Sequence, residues 1–135
     1  MLKIVIDTNT LISALGWKEG NPRKIIELCI KGKCLLITSP ELINEFYSVI
    51  NRPKFNFISK EEKNQFLVNF LTISCLVEPK NKIDVIKEYP MDNIVLEAAF
   101  KSKADYIISG DEHILRLRGF KGTKIVNSKS FLDLI

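Results

Sequence analysis

Lys3-Ile4-Val5-Ile6-Asp7-Thr8-Asn9-Thr10 sets an apolar β-branched run directly against an abrupt polar turn. The apolar residues do not alternate with polar ones, so the run predicts a strand buried on both faces. Leu11-Ile12-Ser13-Ala14-Leu15 then has a short helical pattern that Gly16 ends. Asp7 therefore falls at the carboxyl end of a buried strand, just before a helix. In an open parallel sheet that edge is where ligands bind. A carboxylate there suits a metal ion and equally suits the cap of the next helix, and this stretch alone leaves both readings open.

Outward from it, buried strands and amphipathic helices alternate. Asn21-Pro22 opens a helix whose apolar residues run from Ile25 to Ile30, with Asn21 as the expected cap and Gly32 as its stop. Cys34 to Thr38 is a second buried strand, and Ser39-Pro40-Glu41 starts a helix that reaches about Ile50. Ser59 to Leu71 is a further helix, Thr72 to Val77 a third strand, and Ile83 to Ile86 a short element in a polar linker. Ile94 to Phe100 is apolar on most faces and predicts a buried helix. Tyr106 to Ser109 and Lys124 to Val126 are the last two strands, with a short helical pattern at Ile114 to Leu117 and a short helix or tail from Ser130 to Ile135. Such alternation implies a parallel α/β sheet covered on both faces, with every strand's carboxyl end on one edge.

The chain has 135 residues, enough for a single domain, 1–135, with a real core. No apolar run approaches the roughly 20 residues of a membrane span, and no signal-peptide pattern stands at the amino terminus, so no membrane association is expected. Cys29, Cys34 and Cys75 lack paired-ligand spacing and lie in apolar contexts. They are expected to be buried free thiols in a reducing cytoplasm. With one histidine and no Cys-x-x-Cys, a zinc site is excluded as the leading expectation. Twenty Lys and Arg against sixteen Asp and Glu give +4, a balance that tolerates a polyanionic partner.

Asp7 and Asp111 both follow strands directly, Glu45 lies in mid-helix after the second strand, and Asp92 starts the buried helix. Four carboxylates can therefore converge. Each like-charged pair at ~4 Å costs about 1 kcal/mol in water and about 4 at an effective dielectric near 20. A hard divalent cation removes that cost, and an oxygen-only set selects Mg²⁺ or Mn²⁺. The plainer alternatives are that Asp92 only caps its helix and that Glu45 reaches solvent.

Ile4 to Leu15, Ser39-Pro40-Glu41-Leu42-Ile43-Asn44-Glu45, Asn51-Arg52-Pro53-Lys54-Phe55, Pro90-Met91-Asp92-Asn93 with Leu96-Glu97-Ala98-Ala99, and Ala104 to Asp111 occur in an order and spacing that resembles PIN-domain proteins of the VapC-like, toxin-antitoxin kind. The resemblance implies a three-layer α/β/α fold with a five-stranded parallel sheet in the order 3-2-1-4-5. It implies a Mg²⁺- or Mn²⁺-dependent ribonuclease whose catalytic and metal-holding acids are Asp7, Glu45, Asp92 and Asp111. Asn9 would hold the Asp7 loop, and Ser109 takes a place often held by Thr. Relatives often carry an Asp where Tyr89 stands here, and Met91 is less polar than usual; neither departure removes one of the four acids.

Arg23, Lys24, Arg52, Lys54, Arg116 and Arg118 are candidate phosphate contacts, each alternatively a solvated charge. His113 is expected to be a solvated residue near a helix start, and Trp17 and Tyr47 to pack in the core or at a partner interface. The leading function is an RNA-cleaving toxin with a cognate antitoxin protein. A housekeeping RNA-processing nuclease with the same site is the alternative, and a receiver-like Mg²⁺-binding module the non-catalytic one. Phe46, Tyr47, Phe55, Phe57, Phe66 and Phe70 exceed what one sheet face easily covers, which predicts a homodimer with these residues near its interface.

Overall fold

The computed structural model describes residues 1–135. In chain order it contains β1 (Leu2–Ile6), α1 (Thr8–Gly16), α2 (Asn21–Ile30), β2 (Cys34–Thr38), α3 (Pro40–Ile50), α4 (Lys60–Ile73) and β3 (Ser74–Leu76). Then come α5 (Asn93–Ser102), β4 (Tyr106–Ile108), α6 (Glu112–Leu115), β5 (Gly119–Phe120), β6 (Thr123–Val126) and α7 (Ser128–Leu134). Single 3-10 turns stand at Pro53–Phe55 and Pro90–Asp92.

The strands form one sheet in the order β3-β2-β1-β4-β6-β5. All neighbours are parallel except the final hairpin of β5 with β6. The expected five-strand order is present, with β6 as its fifth strand, and a sixth, antiparallel strand is added at the edge. Its hairpin turns at Lys121-Gly122, where both residues have positive φ, 47° and 91°. Two consecutive left-handed residues match the twist of a tight hairpin. A two-residue strand is too short to leave an alternating pattern in the sequence.

Side chains alternate across the sheet and divide the core in two. Ile4, Ile6, Leu36 and Ile108 face a layer that includes Leu11 and Leu15 of α1, Ile25 of α2, Phe70 of α4 and Phe131 of α7. Val5, Ile37, Ile107 and Ile125 face Val95, Leu96, Ala98 and Ala99 of α5 with Ile114 of α6. Helix α3 contributes to both, Leu42 to the second cluster and Phe46 and Ile50 to the first. It therefore straddles the two layers.

Several local expectations change. Helix α4 continues through Ile73, so β3 begins only at Ser74. Gly20, not Asn21, is the cap residue of α2 and makes no side-chain capping bond. The linker at Ile83 to Ile86 forms no helix or strand of its own. Cys29 and Cys34 are buried as expected, but Cys75 is exposed because it lies on the short edge strand β3. Burial pushes the Cys29 thiol up to about 12. Phe46, Phe55 and Phe70 are absorbed into the core, whereas Tyr47 and Phe57 stay exposed. The aromatic excess that pointed to an interface is thus smaller than the sequence suggests.

Candidate active site

Register decides which polar residues meet. Strands β1 and β4 are neighbours with Ile6 opposite Ile108, and the Asp7 N–H donates to the Ile108 carbonyl at 3.1 Å. The next residues along each strand, Asp7 and Ser109, therefore lie side by side. The Ser109 hydroxyl donates to Asp7 Oδ2. Asp7 Oδ1 accepts the Thr10 N–H at 2.9 Å and so caps α1. The cap engages only one oxygen of the carboxylate, and the other accepts the Ser109 hydroxyl. Asp7 is only 5% exposed, and this burial raises its pKa against the lowering effect of the Ser109 and Thr10 hydrogen bonds, with Asp111 adding to the rise.

Asp111 has a parallel arrangement. Its backbone N–H donates to Ser109 Oγ at 2.9 Å, and its Oδ1 caps α6 by accepting the His113 N–H at 2.8 Å. Glu45 does not simply reach solvent: its Oε1 accepts the hydroxyl of Thr8, which ties α3 to the first turn of α1. Asp92 sits at the start of α5 but makes no capping bond. Its Oδ2 is buried and has no hydrogen-bond partner. Burial first, then the charges of Asp111, Glu45 and Asp7, push the Asp92 carboxyl up to about 6, with His113 pulling slightly the other way.

These four acids line one cleft of about 290 Å³, together with Thr8, Asn9, Arg52 and Lys54. No three His, Cys, Asp or Glu side chains approach closely enough to form a ready-made metal cage. The donor set is nonetheless one a hard divalent cation prefers: carboxylate oxygens, one of them buried and unpartnered.

The other basic candidates lie elsewhere. Arg23 Nε donates to the Ala14 carbonyl at 2.6 Å and its Nη2 to that of Leu15 at 3.3 Å, so it caps α1 structurally. Arg116 lies 3.8 Å from Glu88, and Arg118 is exposed at a left-handed position; neither lines the acid cleft. His113 faces Glu88 at 3.4 Å and packs on Tyr89 with ring centroids 4.2 Å apart. Trp17 is exposed and packs edge-on against Phe57.

Two residues with no expected role hold Asp92 in place. Asn93, 3% exposed, accepts the N–H groups of Val85 and Ile86 and donates to the carbonyls of Ile86 and Pro90. Glu97, also buried, accepts the Ile83 N–H at 3.0 Å. Together they pin the irregular 83–92 segment to α5. The available signal was an Asn and a Glu at i, i+4 inside an otherwise apolar helix.

The family model for the PIN domain matches residues 3–113 of the chain. The chain belongs to the PIN domain family. The match includes all four cleft acids. The chain is also 34% identical over 119 residues to protein MJ1680 of Methanocaldococcus jannaschii, covering 87% of this chain and 76% of that one. Solved structures share the fold at low identity. The VapBC2 complex of Rickettsia felis, bound to a DNA fragment from its promoter, gives a TM-score of 0.64 at 15% identity, covering 93% of this chain and 98% of the compared chain. VapC20 of Mycobacterium tuberculosis, a sarcin-ricin loop cleaving toxin, gives 0.58 at 14% identity, covering 90% and 98%.

Proposed function

We propose that this PIN domain is a divalent-metal-dependent endoribonuclease and the toxin of a toxin-antitoxin pair. The observation that carries the reading is the buried, unpartnered Asp92 Oδ2 in a cleft lined by three further carboxylates. A buried carboxylate oxygen with no donor costs free energy, and a cation is the partner that four acids recruit together.

Asp7, Glu45, Asp92 and Asp111 would hold Mg²⁺ or Mn²⁺, which supplies an activated water and charge neutralisation at the attacked phosphodiester. The remaining work falls to this chain's side chains. Ser109 fixes the Asp7 carboxylate and the Asp111 backbone together, and Thr8 orients Glu45. Arg52 and Lys54, which line the same cleft, would bind the phosphate flanking the scissile bond. Asn9 lines the cleft beside Asp7, whose loop is held by the Thr10 N–H on Asp7 Oδ1.

A toxin role is supported by the fold shared with the VapBC2 complex and with VapC20. The antitoxin would cover the acid cleft, and a homodimer would use the exposed Tyr47 and Phe57. No helix is long and apolar enough to cross a membrane, which fits action on cytoplasmic RNA.

The test is RNA cleavage by the purified full chain with Mg²⁺, Mn²⁺ or EDTA. Cleavage should need the metal and be lost in Asp7→Asn, while Glu41→Gln, which does not line the cleft, retains near-normal activity. Full activity in EDTA overturns the metal mechanism.

A further inference from the structure

A second charged feature lies at the opposite end of α5 from the acids. Lys80, Lys101, Lys103 and Lys121 line a cleft of about 630 Å³ between the end of α5 and the β5–β6 hairpin. All four are exposed, and none forms an ion pair. The one acid lining this cleft, Glu97, is buried and engaged with the Ile83 N–H. Four ammonium groups around one concavity repel one another and lack a protein counter-charge.

The backbone adds an independent sign. Lys103 ends α5 with φ 56°, where glycine is the default, and Lys121 starts the hairpin turn with φ 47°, where asparagine or glycine is preferred. Lysine stands at two left-handed positions, and both residues border the same cleft. Strain kept at such positions accompanies function more often than chance. Lys121 Nζ lies 4.8 Å from the Phe100 ring centroid and 5.7 Å from that of Phe120, which fixes its charge at the rim.

We propose that this cleft binds the phosphate backbone of the RNA substrate, as an anchoring site about 15 Å from the acid cleft across the ten residues of α5. It rests on the nuclease reading above, because it supplies that reaction with a hold on longer RNA. Lysines without arginine suit point-charge contact with phosphates and no base readout. An acidic peptide would also need apolar sockets, and the nearby faces of Phe100 and Phe120 are already occupied by Lys121. A dense polyanion that releases counterions needs none.

The test uses Lys103→Gly with Lys121→Asn, which removes two charges and relaxes both backbone positions. Binding of a fluorescent single-stranded RNA of twenty nucleotides is followed by anisotropy in the cleavage-deficient Asp7→Asn chain, with and without the two lysine changes. The double change should raise Tm, weaken binding at low salt by at least tenfold, and reduce the salt slope by about 1.4, at about 0.7 per lost phosphate contact on a single strand. Cleavage of a dinucleotide by the otherwise unmodified chain should not change. Unaltered affinity and salt slope overturn the proposal. So does a poly-glutamate peptide that binds only when these lysines are present while RNA binding ignores them. If the unmodified chain binds RNA through these lysines but cleaves none, the anchoring site stands and the nuclease reading falls.

Discussion

The Ser109 hydroxyl donates to Asp7 Oδ2 while Ser109 Oγ accepts the Asp111 backbone N–H at 2.9 Å, so one buried serine joins two acids that are 104 residues apart in the chain. Ser109 is fully buried, and water cannot replace either bond. The parallel pairing of β1 with β4 is what puts it beside Asp7.

Ser109→Ala should therefore leave Asp7 Oδ2 buried without a donor and the Asp111 N–H without an acceptor. The expected stability loss is about 1–3 kcal/mol, measured by urea unfolding. RNA cleavage should fall more than tenfold, and Ser109→Thr should restore most of it, since it returns the hydroxyl. Equal activity in the alanine and threonine variants would show that the bond is structural only.

The Asp92 carboxyl, raised to about 6 from an ordinary 3.8, makes the metal-free protein sensitive to pH. The folded state holds this proton more tightly than the unfolded state, so its stabilising effect is complete below about pH 4 and disappears as pH rises through about 6. In EDTA, the Tm difference between Asp92→Asn and the unmodified chain should therefore widen in favour of the variant between pH 4 and pH 7. At pH 7, added Mg²⁺ should raise the Tm of the unmodified chain and leave the variant largely unaffected. A pH-independent difference would remove Asp92 from the charge cluster.

Asn93 makes four hydrogen bonds to the 83–90 backbone. Asn93→Ala should destabilise the fold by roughly 2–4 kcal/mol, because the partners it strands are largely buried. Hydrogen exchange should speed up at Val85 and Ile86 before the rest of the molecule. Asn93→Asp keeps the acceptor but not the donors, and should fall between the two.

Tyr47 and Phe57 are 57% and 65% exposed, and Phe57 packs edge-on against the exposed Trp17. If they form the homodimer face, light scattering over a concentration series should give twice the chain mass, and Tyr47→Ser with Phe57→Ser should halve it without lowering Tm. A monomer throughout would refute that interface.

Much of this protein is written locally. The unbroken apolar runs at Ile4 to Ile6 and Cys34 to Thr38 specify buried strands, because side chains on both faces must avoid water. Ser39-Pro40 and Ser59 specify helix starts, because their hydroxyls accept the N–H groups of Leu42 and Glu62. Asp7, Asp92 and Asp111 were visible as residues placed after strands or at a helix start, and Glu45 as a carboxylate in mid-helix. What stayed hidden depended on neighbours distant in sequence. That Asp7 both caps a helix and faces the cleft, that Thr8 holds Glu45 and that Asp92 Oδ2 has no partner follow only from the packing of β1, α3, α5 and β4. The same holds for the core position of Phe46, Phe55 and Phe70, which are as apolar in sequence as the exposed Phe57. Hydrophobicity sets how strongly a side chain avoids water, whereas which surfaces remain to cover it is decided only when the layers close. The lysine cleft is of the same kind: Lys80, Lys101 to Lys103 and Lys121 are separate surface charges along the chain, and the hairpin of β5 and β6 folding beside the end of α5 makes them one site.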